Sequence, residues 1–94
     1  MATLHIEHPV TDFGTWMAAF GRFADARQQA GVRNQRVHRP IDDPAYVLVD
    51  LEFDTVSEAE HFLGFLRANV WPSPDAAPGL AGSPVVRILD RVPA

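Results

Sequence analysis

Four short stretches of the chain have the residue-by-residue alternation or the β-branched content that is typical of strands, namely residues 3–8, 32–39, 45–53 and 85–92. The third is the clearest, because Val47, Val49 and Leu51 point one way and the residues between them point the other. The second is more polar and is predicted to be an edge strand. Pro9 is expected to end the first strand, since proline has no N–H to donate to a neighbouring strand.

Two longer segments have apolar residues at helical spacing. The first is predicted to begin after an N-cap at Thr11 or Asp12 and to run unbroken to about Ala30, with Gly31 as the left-handed residue that ends it. Its apolar stripe is Phe13, Trp16, Met17, Phe20, Phe23 and Ala24. The second opens with Thr55 and Glu58, which have the spacing of a capping box. Its apolar stripe is Val56, Ala59, Phe62, Leu63, Leu66 and Val70.

The order of these elements is β-α-β-β-α-β, which predicts an α+β domain of the ferredoxin-like kind spanning residues 1–94. Both β-α-β connections are expected to be right-handed, so the two helices pack on one face of a four-stranded antiparallel sheet. The expected strand order is 4-1-3-2, with the first and third strands, the most apolar, at the centre.

The second face of this sheet is left uncovered by the helices. Alternation assigns to it His5, Glu7, Tyr46, Leu48, Asp50, Glu52, Arg87, Leu89 and Arg91, a mixture of charged and apolar residues. One interpretation is a solvated sheet with cross-strand ion pairs. The other, which we favour, is that the face packs on a second copy of the chain, so that two sheets close an eight-stranded barrel. Patches of mixed charge suit such a two-fold interface.

Composition narrows the classes of function. A chain of 94 residues buries only about 60–65% of its unfolded surface, and it has no cysteine with which to form disulfides, so a partner subunit is the expected support. The formal charge of −4 disfavours a nucleic-acid partner. No apolar run approaches the length of a membrane span, and the N-terminus does not resemble a signal peptide. We therefore expect no membrane association and a cytoplasmic location.

Three stretches together resemble the dimeric α+β barrel superfamily, and the resemblance extends over nearly the whole chain. They are Val10-Thr-Asp-Phe-Gly-Thr-Trp16, Tyr46-Val-Leu-Val-Asp-Leu-Glu-Phe53 and Thr55-x-x-Glu-Ala-x-x-Phe62-Leu63. That superfamily includes antibiotic-biosynthesis monooxygenases, haem-degrading enzymes and polyketide cyclases. The resemblance implies the fold and a homodimer, and it is weak for activity, since members of a fold differ in chemistry.

The haem-degrading branch uses an Asn on the first strand, with a Trp and a His in or near the second helix. Here His5 or Glu7 stands where the Asn is expected, and His61 and Trp71 have a different spacing. Haem degradation is therefore not inferred. Cofactor-free monooxygenases of this fold use pocket Asn, Trp or Tyr groups, and Trp16 and Trp71 are compatible with that role, although both also fit as core aromatics.

His8 is the candidate catalytic residue, because alternation places it on the helix-facing side at the end of the first strand. It is interpreted either as a general base at a pocket mouth or as a core-edge histidine bonded to a backbone carbonyl. The candidate substrate-binding residues are Trp16, Phe20, Phe62 and Trp71. His5, Glu7 and Asp50 offer a weak metal-ligand set, and no metal or other cofactor is expected.

The segment 72–84 is too rich in proline and glycine for a helix or strand, and it is either a lid over the open end of the fold, an arm that packs on the dimer mate, or irregular surface. The leading hypothesis is a homodimer that binds a small apolar or aromatic molecule, with cofactor-free oxygenation or cyclisation implied by the resemblance. The alternative is a non-catalytic dimerisation or regulatory module without a pocket. The sequence leaves open whether the protein is an enzyme.

Overall fold

The computed structural model describes all residues from Met1 to Ala94. Its strands are β1 (Ala2–Pro9), β2 (Asn34–His38), β3 (Tyr46–Phe53) and β4 (Val85–Asp90). Its helices are α1 (Phe13–Arg22), α2 (Ala24–Ala30) and α3 (Val56–Phe65), and α3 continues into one π-helical stretch, Leu66–Val70. None of the helices has both the length and the apolar character that crossing a lipid bilayer requires.

The four strands form one antiparallel sheet in the order β2-β3-β1-β4, which confirms the predicted order read from its other edge. The register places Leu4 opposite Leu51 on one side and Ile88 on the other. Residues of like character therefore line up in rows across the sheet. The predicted ferredoxin-like α+β fold is confirmed.

The core lies between this sheet and the helices. Every second residue of β1 and β3 is buried there, from Ala2 to His8 and from Val47 to Phe53. Trp16, Ala59 and Phe62 cover them from the helices. At about 25 cal/mol per Å² of apolar surface, each fully buried aliphatic or aromatic side chain contributes about 1.5–3 kcal/mol to folding.

The predicted helix ends are confirmed at three places. The Asp12 carboxylate caps α1 by accepting the N–H of Thr15 at 2.8 Å. Thr55 and Glu58 form the reciprocal capping box of α3. Gly31 ends α2 with φ of 100°, a left-handed conformation that only glycine adopts at little cost.

The expectation of one unbroken first helix is wrong. The helix breaks at Phe23, whose φ of −99° and ψ of 15° leave the α region, and Gly21 weakens the turn that precedes the break. The carbonyl of Phe20 accepts the N–H of Phe23 and also Nη1 of Arg27. The break thus turns α2 so that Arg27 folds back against α1.

Three residues assigned to the apolar stripes are exposed instead of buried, namely Met17, Ala24 and Val56. Met17 and Ala24 lie on the outer flank of the interrupted helix, where 3.6-residue periodicity alone does not locate the edge of the buried face. The buried stripe of α3 begins one turn after Val56, at Ala59.

Candidate functional site

A cavity of about 80 Å³ lies between the sheet and the helices. Seventeen residues line it and fifteen of these are hydrophobic; the two others are His8 and Arg27. The sequence candidates Trp16, Phe20, Phe62 and Trp71 all line this cavity as well. The fold thus brings together the five residues selected from sequence, whose roles stay predictions.

His8 is 3% exposed and lies at the end of β1, opposite Val47. Its Nδ1 lies 2.8 Å from the carbonyl oxygen of Pro9, which only accepts, so Nδ1 carries the proton in the neutral ring. Nε2 has no hydrogen-bond partner within the chain and is not fully enclosed, and the His8 side chain lines the cavity. Burial lowers the pKa of His8, outweighing the bond to Pro9, and favours the neutral imidazole with a free lone pair on Nε2.

An aromatic cluster forms the wall next to His8. The Trp16 ring stacks on Phe20 with 5.0 Å between centroids, and its edge meets the His8 ring at 5.9 Å. Phe62 packs between Phe53 and Phe65 on the α3 side. These rings make a wall suited to a planar apolar molecule. His61, by contrast, is exposed on α3 and takes no part in the cavity.

Arg27 was not among the sequence candidates. It follows Trp16, Phe20 and Phe23 at helical spacing, so its position on the same face as those aromatics is the signal that could have found it. It is 5% exposed, and its guanidinium lies 3.7 Å from the centre of the Phe20 ring. It is the one cationic side chain in the lining.

The segment 72–84, called here the strap, closes the cavity through Ala76, Ala77 and Leu80. It contains no helix or regular strand, as predicted. Its far end is fastened to the segment after β1, where Thr11 donates to the Gly79 carbonyl at 2.8 Å and Ala81 donates to the Pro9 carbonyl at 3.1 Å. The strap thus borders the cavity, and its role as a lid, as an arm on a dimer mate or as irregular surface stays a prediction.

We expect Gly79→Ala to loosen the strap. Gly79 has φ of +85°, and a Cβ there would lie 3.2 Å from the backbone nitrogen of Trp16 and 3.4 Å from the Asp12 carbonyl oxygen. Since these are backbone atoms of α1 and its cap, they do not yield easily, and we expect a cost of about 1–3 kcal/mol. Thermal unfolding with Gly64→Ala as control checks this, because Gly64 lies in α3 with open space around it. Equal melting temperatures for the two variants would contradict it.

A second cluster lies on the open face of the sheet, around His5. Its Nδ1 is 2.6 Å from Asp50 and its Nε2 is 2.8 Å from Glu7, while the Tyr46 hydroxyl donates to Glu7 at 2.7 Å. Since carboxylate oxygens only accept, the protonated imidazolium form of His5, in which both ring nitrogens donate, is the form that satisfies both contacts. The bond to Glu7 is the main cause that raises the pKa of His5, and the bond to His5 is the main cause that lowers the pKa of Glu7.

The sequence analysis considered His5, Glu7 and Asp50 as a metal set. The three side chains do meet, but each ring nitrogen of His5 is engaged by a carboxylate, and no group of three or more His, Asp or Glu side chains has an arrangement that could hold a metal ion. Charges alternate across the sheet, since Arg36 and Arg87 flank Asp50 and His5 in one row. Two further arginines lie outside the row: Arg33 pairs with Asp54 just before β2, and Arg39 lies over the Phe13 ring just after it.

We expect the stability of the fold to decline as His5 loses its proton. A histidine whose pKa is raised in the folded state stabilises the fold below its unfolded pKa, and this contribution is lost as pH rises through the folded value. The groups that face the ring are Asp50, Glu7 and Arg87. Urea unfolding from pH 5.5 upwards should show a loss of about 1 kcal/mol, and His5→Gln should flatten the profile. An unchanged slope in His5→Gln would contradict this, and His38→Gln, an exposed histidine on β2, is the control.

No protein-family model and no curated protein sequence matches the chain. Solved structures do match it. A candidate antibiotic biosynthesis monooxygenase from Bordetella bronchiseptica has a TM-score of 0.74 and 18% identity, over 97% of both chains. A dimeric ferredoxin-like protein from an uncultured marine organism has a TM-score of 0.68 and 10% identity, over 97% of this chain and 96% of that one.

A monooxygenase from Streptomyces coelicolor, solved in complex with the ligand nanaomycin D, has a TM-score of 0.64 and 15% identity, over 99% of this chain and 88% of that one. The resemblance to antibiotic-biosynthesis monooxygenases and dimeric ferredoxin-like proteins is thereby confirmed at the level of the fold. At these identities the likeness extends to the backbone and not to the chemistry.

Proposed function

We propose that the protein is a homodimer in which the open faces of two sheets pack together. The open face carries half-buried Tyr46 and Leu48, together with the exposed apolar side chains of Val85 and Leu89. These residues accompany a charge row in which Asp50 of β3 and His5 of β1 lie between Arg36 of β2 and Arg87 of β4. In a dimer with a two-fold axis this charge row faces the same row of the second copy, so that its acidic and basic positions can pair across the interface. Proteins of the same fold that are described as dimeric support this assembly.

We further propose that each subunit binds a small aromatic molecule in the cavity between sheet and helices. The observation that carries this proposal is the composition of the lining, in which an aromatic wall meets a buried, neutral histidine whose Nε2 is free. Ligand sites are typically apolar pockets with a few placed polar groups. The monooxygenase of like fold that was solved in complex with nanaomycin D supports a small-molecule ligand.

The cavity is small for such a ligand. Its volume of about 80 Å³ is below the roughly 300 Å³ at which ligand pockets begin, and an apolar cavity of roughly 150 Å³ is known to hold one benzene ring. The proposal therefore includes movement of the strap, which covers the cavity with small residues, Ala76 and Ala77. Between Asp75 and Pro78 the strap makes one hydrogen bond to the rest of the chain, a 3.3 Å bond from Arg22 to the Asp75 carbonyl, whereas Ala76 and Ala77 donate to Ser73 within the strap itself.

The proposed reaction is cofactor-free oxygenation of an electron-rich phenol or enol. Nε2 of His8 takes the acidic proton and leaves an anion that O₂ oxidises. For a phenol converted to a quinone, one oxygen atom enters the product and the other leaves as water, which takes the hydroxyl hydrogen and one hydrogen of a ring carbon. The substrate supplies all the electrons, so no metal, flavin or haem is required. Cyclisation of a polyketide-like chain begins with the same proton abstraction.

The test is a binding and turnover assay with quinols and polyketide-like phenols. Binding is measured by quenching of Trp16 and Trp71 fluorescence, and turnover in air is measured by chromatography of the products. Ala77→Phe fills the cavity from the strap and should abolish quenching, whereas Ala18→Phe, an exposed position on α1, should leave it unchanged. Quenching that persists in Ala77→Phe would show that the ligand binds elsewhere.

The alternative function is a non-catalytic dimerisation or regulatory module, and the small volume of the cavity is the observation that favours it. In that case the aromatic wall is a packed core and His8 is a core-edge residue bonded to the Pro9 carbonyl. A dimer that binds no phenol or quinol at millimolar concentration would support the module over the enzyme.

A further inference from the structure

Arg27 is buried without a charged partner. It is 5% exposed, and arginine is rarely buried to this degree unless it is paired, because removing a charge from water is costly. The four ion pairs of the chain involve His5, Arg33 and Arg36 as the cations, and none includes Arg27. Its cost of burial is thus not offset by a carboxylate of the chain.

Neutral groups hold the guanidinium in place. Nε donates to the Gln35 side-chain oxygen at 2.8 Å, and Nη1 donates to the Phe20 carbonyl at 2.6 Å. The guanidinium carbon, Cζ, lies over the Phe20 ring. Nη2 has no hydrogen bond within the chain. Because no buried side-chain nitrogen lacks a partner, Nη2 is not fully enclosed and keeps a free donor; the side chain lines both the cavity and a second, more polar depression beside Gln28 and Gln35. Burial is the cause that lowers the pKa of Arg27, and the side chain nevertheless stays charged at neutral pH.

The cavity that Arg27 lines contains no acidic residue. Its other polar group, His8, favours the neutral form, so a bound molecule meets one positive charge and no negative charge. A charge in an apolar surrounding interacts more strongly with an opposite charge than it does in water. Charge-assisted hydrogen bonds from arginine to oxygen anions are also about twice as strong as neutral ones.

We propose that Arg27 is the anion-recognition residue of the cavity, and that the ligand is an aromatic molecule bearing an anionic oxygen, either a carboxylate or an ionised phenol. This inference rests on the proposed function, since it requires that the cavity admits a ligand, and it adds the chemical class that the ligand must have. Phe20 holds the guanidinium from one side by stacking and by its carbonyl, and Gln35 holds it from β2.

The experiment compares probes of nearly equal shape. Benzoate and benzamide differ in charge, and 4-nitrophenol reports ionisation because its phenolate absorbs at longer wavelength than the phenol. Binding is measured by calorimetry and by fluorescence of Trp16 and Trp71. We expect wild type to bind benzoate at least about tenfold more tightly than benzamide, and to shift bound 4-nitrophenol towards the phenolate. A preference for benzoate without that shift assigns a carboxylate, and the shift without that preference assigns a phenolate.

Arg27→Met should lose the preference for benzoate while keeping benzamide binding, and Arg27→Lys should retain part of it. Arg67→Gln is the matched control, because it removes an exposed arginine of the π-helical stretch outside the cavity. Equal binding of benzoate and benzamide, with no shift of 4-nitrophenol, overturns the role of Arg27 and leaves the proposed ligand site standing. If wild type binds none of the three probes, the role of Arg27 and the proposed ligand site are both wrong. The wild-type comparison decides the matter even if Arg27→Met fails to fold.

Discussion

Leu48→Asp is expected to convert the dimer into folded monomers. Leu48 is half-buried on the open face and lies directly opposite Glu7 in the neighbouring strand. In a monomer the new carboxylate faces water and is tolerated. In the dimer it enters an apolar interface next to Glu7, and two-fold symmetry doubles the effect. A penalty of about 4 kcal/mol raises the dissociation constant about a thousandfold.

Light scattering measures the result directly. Wild type should have twice the chain mass of 10.4 kDa at micromolar concentration, and Leu48→Asp should have the single-chain mass with an unchanged circular dichroism spectrum. Val56→Asp is the control, because Val56 is an exposed apolar residue on α3, on the side of the sheet away from the open face. A wild type of about 10 kDa would remove the proposed dimer. A Leu48→Asp variant that remains dimeric while the stability of each subunit falls would show that the interface lies elsewhere.

The architecture was predictable because it depends on local rules that agree with one another. Alternation assigned Leu4, Ile6 and Val49 to the helix face, and a one-residue slip would have exposed them all. The right-handed crossover rule then left one arrangement of the helices. The capping residues Asp12 and Thr55 marked where the helices begin, since their side chains satisfy backbone donors that no other group reaches.

The break at Phe23 and the burial of Arg27 were not predictable in the same way. Periodicity gives the face of a helix but not its continuity, and the break is accompanied by a hydrogen bond from the Arg27 side chain to the Phe20 carbonyl. A charged residue at an apolar spacing is usually assigned to the surface, because burial without a carboxylate is costly. Arg27 of α2 is held by two neutral residues, Phe20 of α1 and Gln35 of β2. Contacts between residues of different elements cannot be read from the sequence.

The meeting of the aromatic candidate residues was predictable, but the size of the cavity between them was not. Trp16, Phe20 and Phe62 fall on faces that the fold turns inward, so their meeting follows from topology. The volume left between them depends on rotamers and on the position of the strap, which no periodicity describes. The same limit applies to His8, for which the sequence left two interpretations. In the structure Nδ1 meets the Pro9 carbonyl, as expected for a core-edge histidine, while Nε2 has no partner in the chain, as a general base requires.

His8→Ala is expected to lower turnover of a phenol or quinol by about 10²–10⁴, the usual contribution of a general base. The variant removes Nε2, the one free basic nitrogen at the cavity, while the aromatic wall of Trp16 and Phe20 remains. Binding of the aromatic ring should therefore change only a few-fold. The loss should appear in kcat more than in KM, because the proton moves in the transition state.

The pH dependence separates a base from a structural histidine. Burial lowers the pKa of His8, so the ring is neutral at pH 7, and turnover should fall only as the pH drops through a value below the ordinary 6.5. The dimer should remain intact in His8→Ala, and His61→Ala, an exposed histidine of α3, should retain full turnover with the same acid limb. If His8→Ala keeps wild-type turnover and the same acid limb, the titrating base is another group. The free nitrogen of His8 would then serve only the packing of the cavity wall.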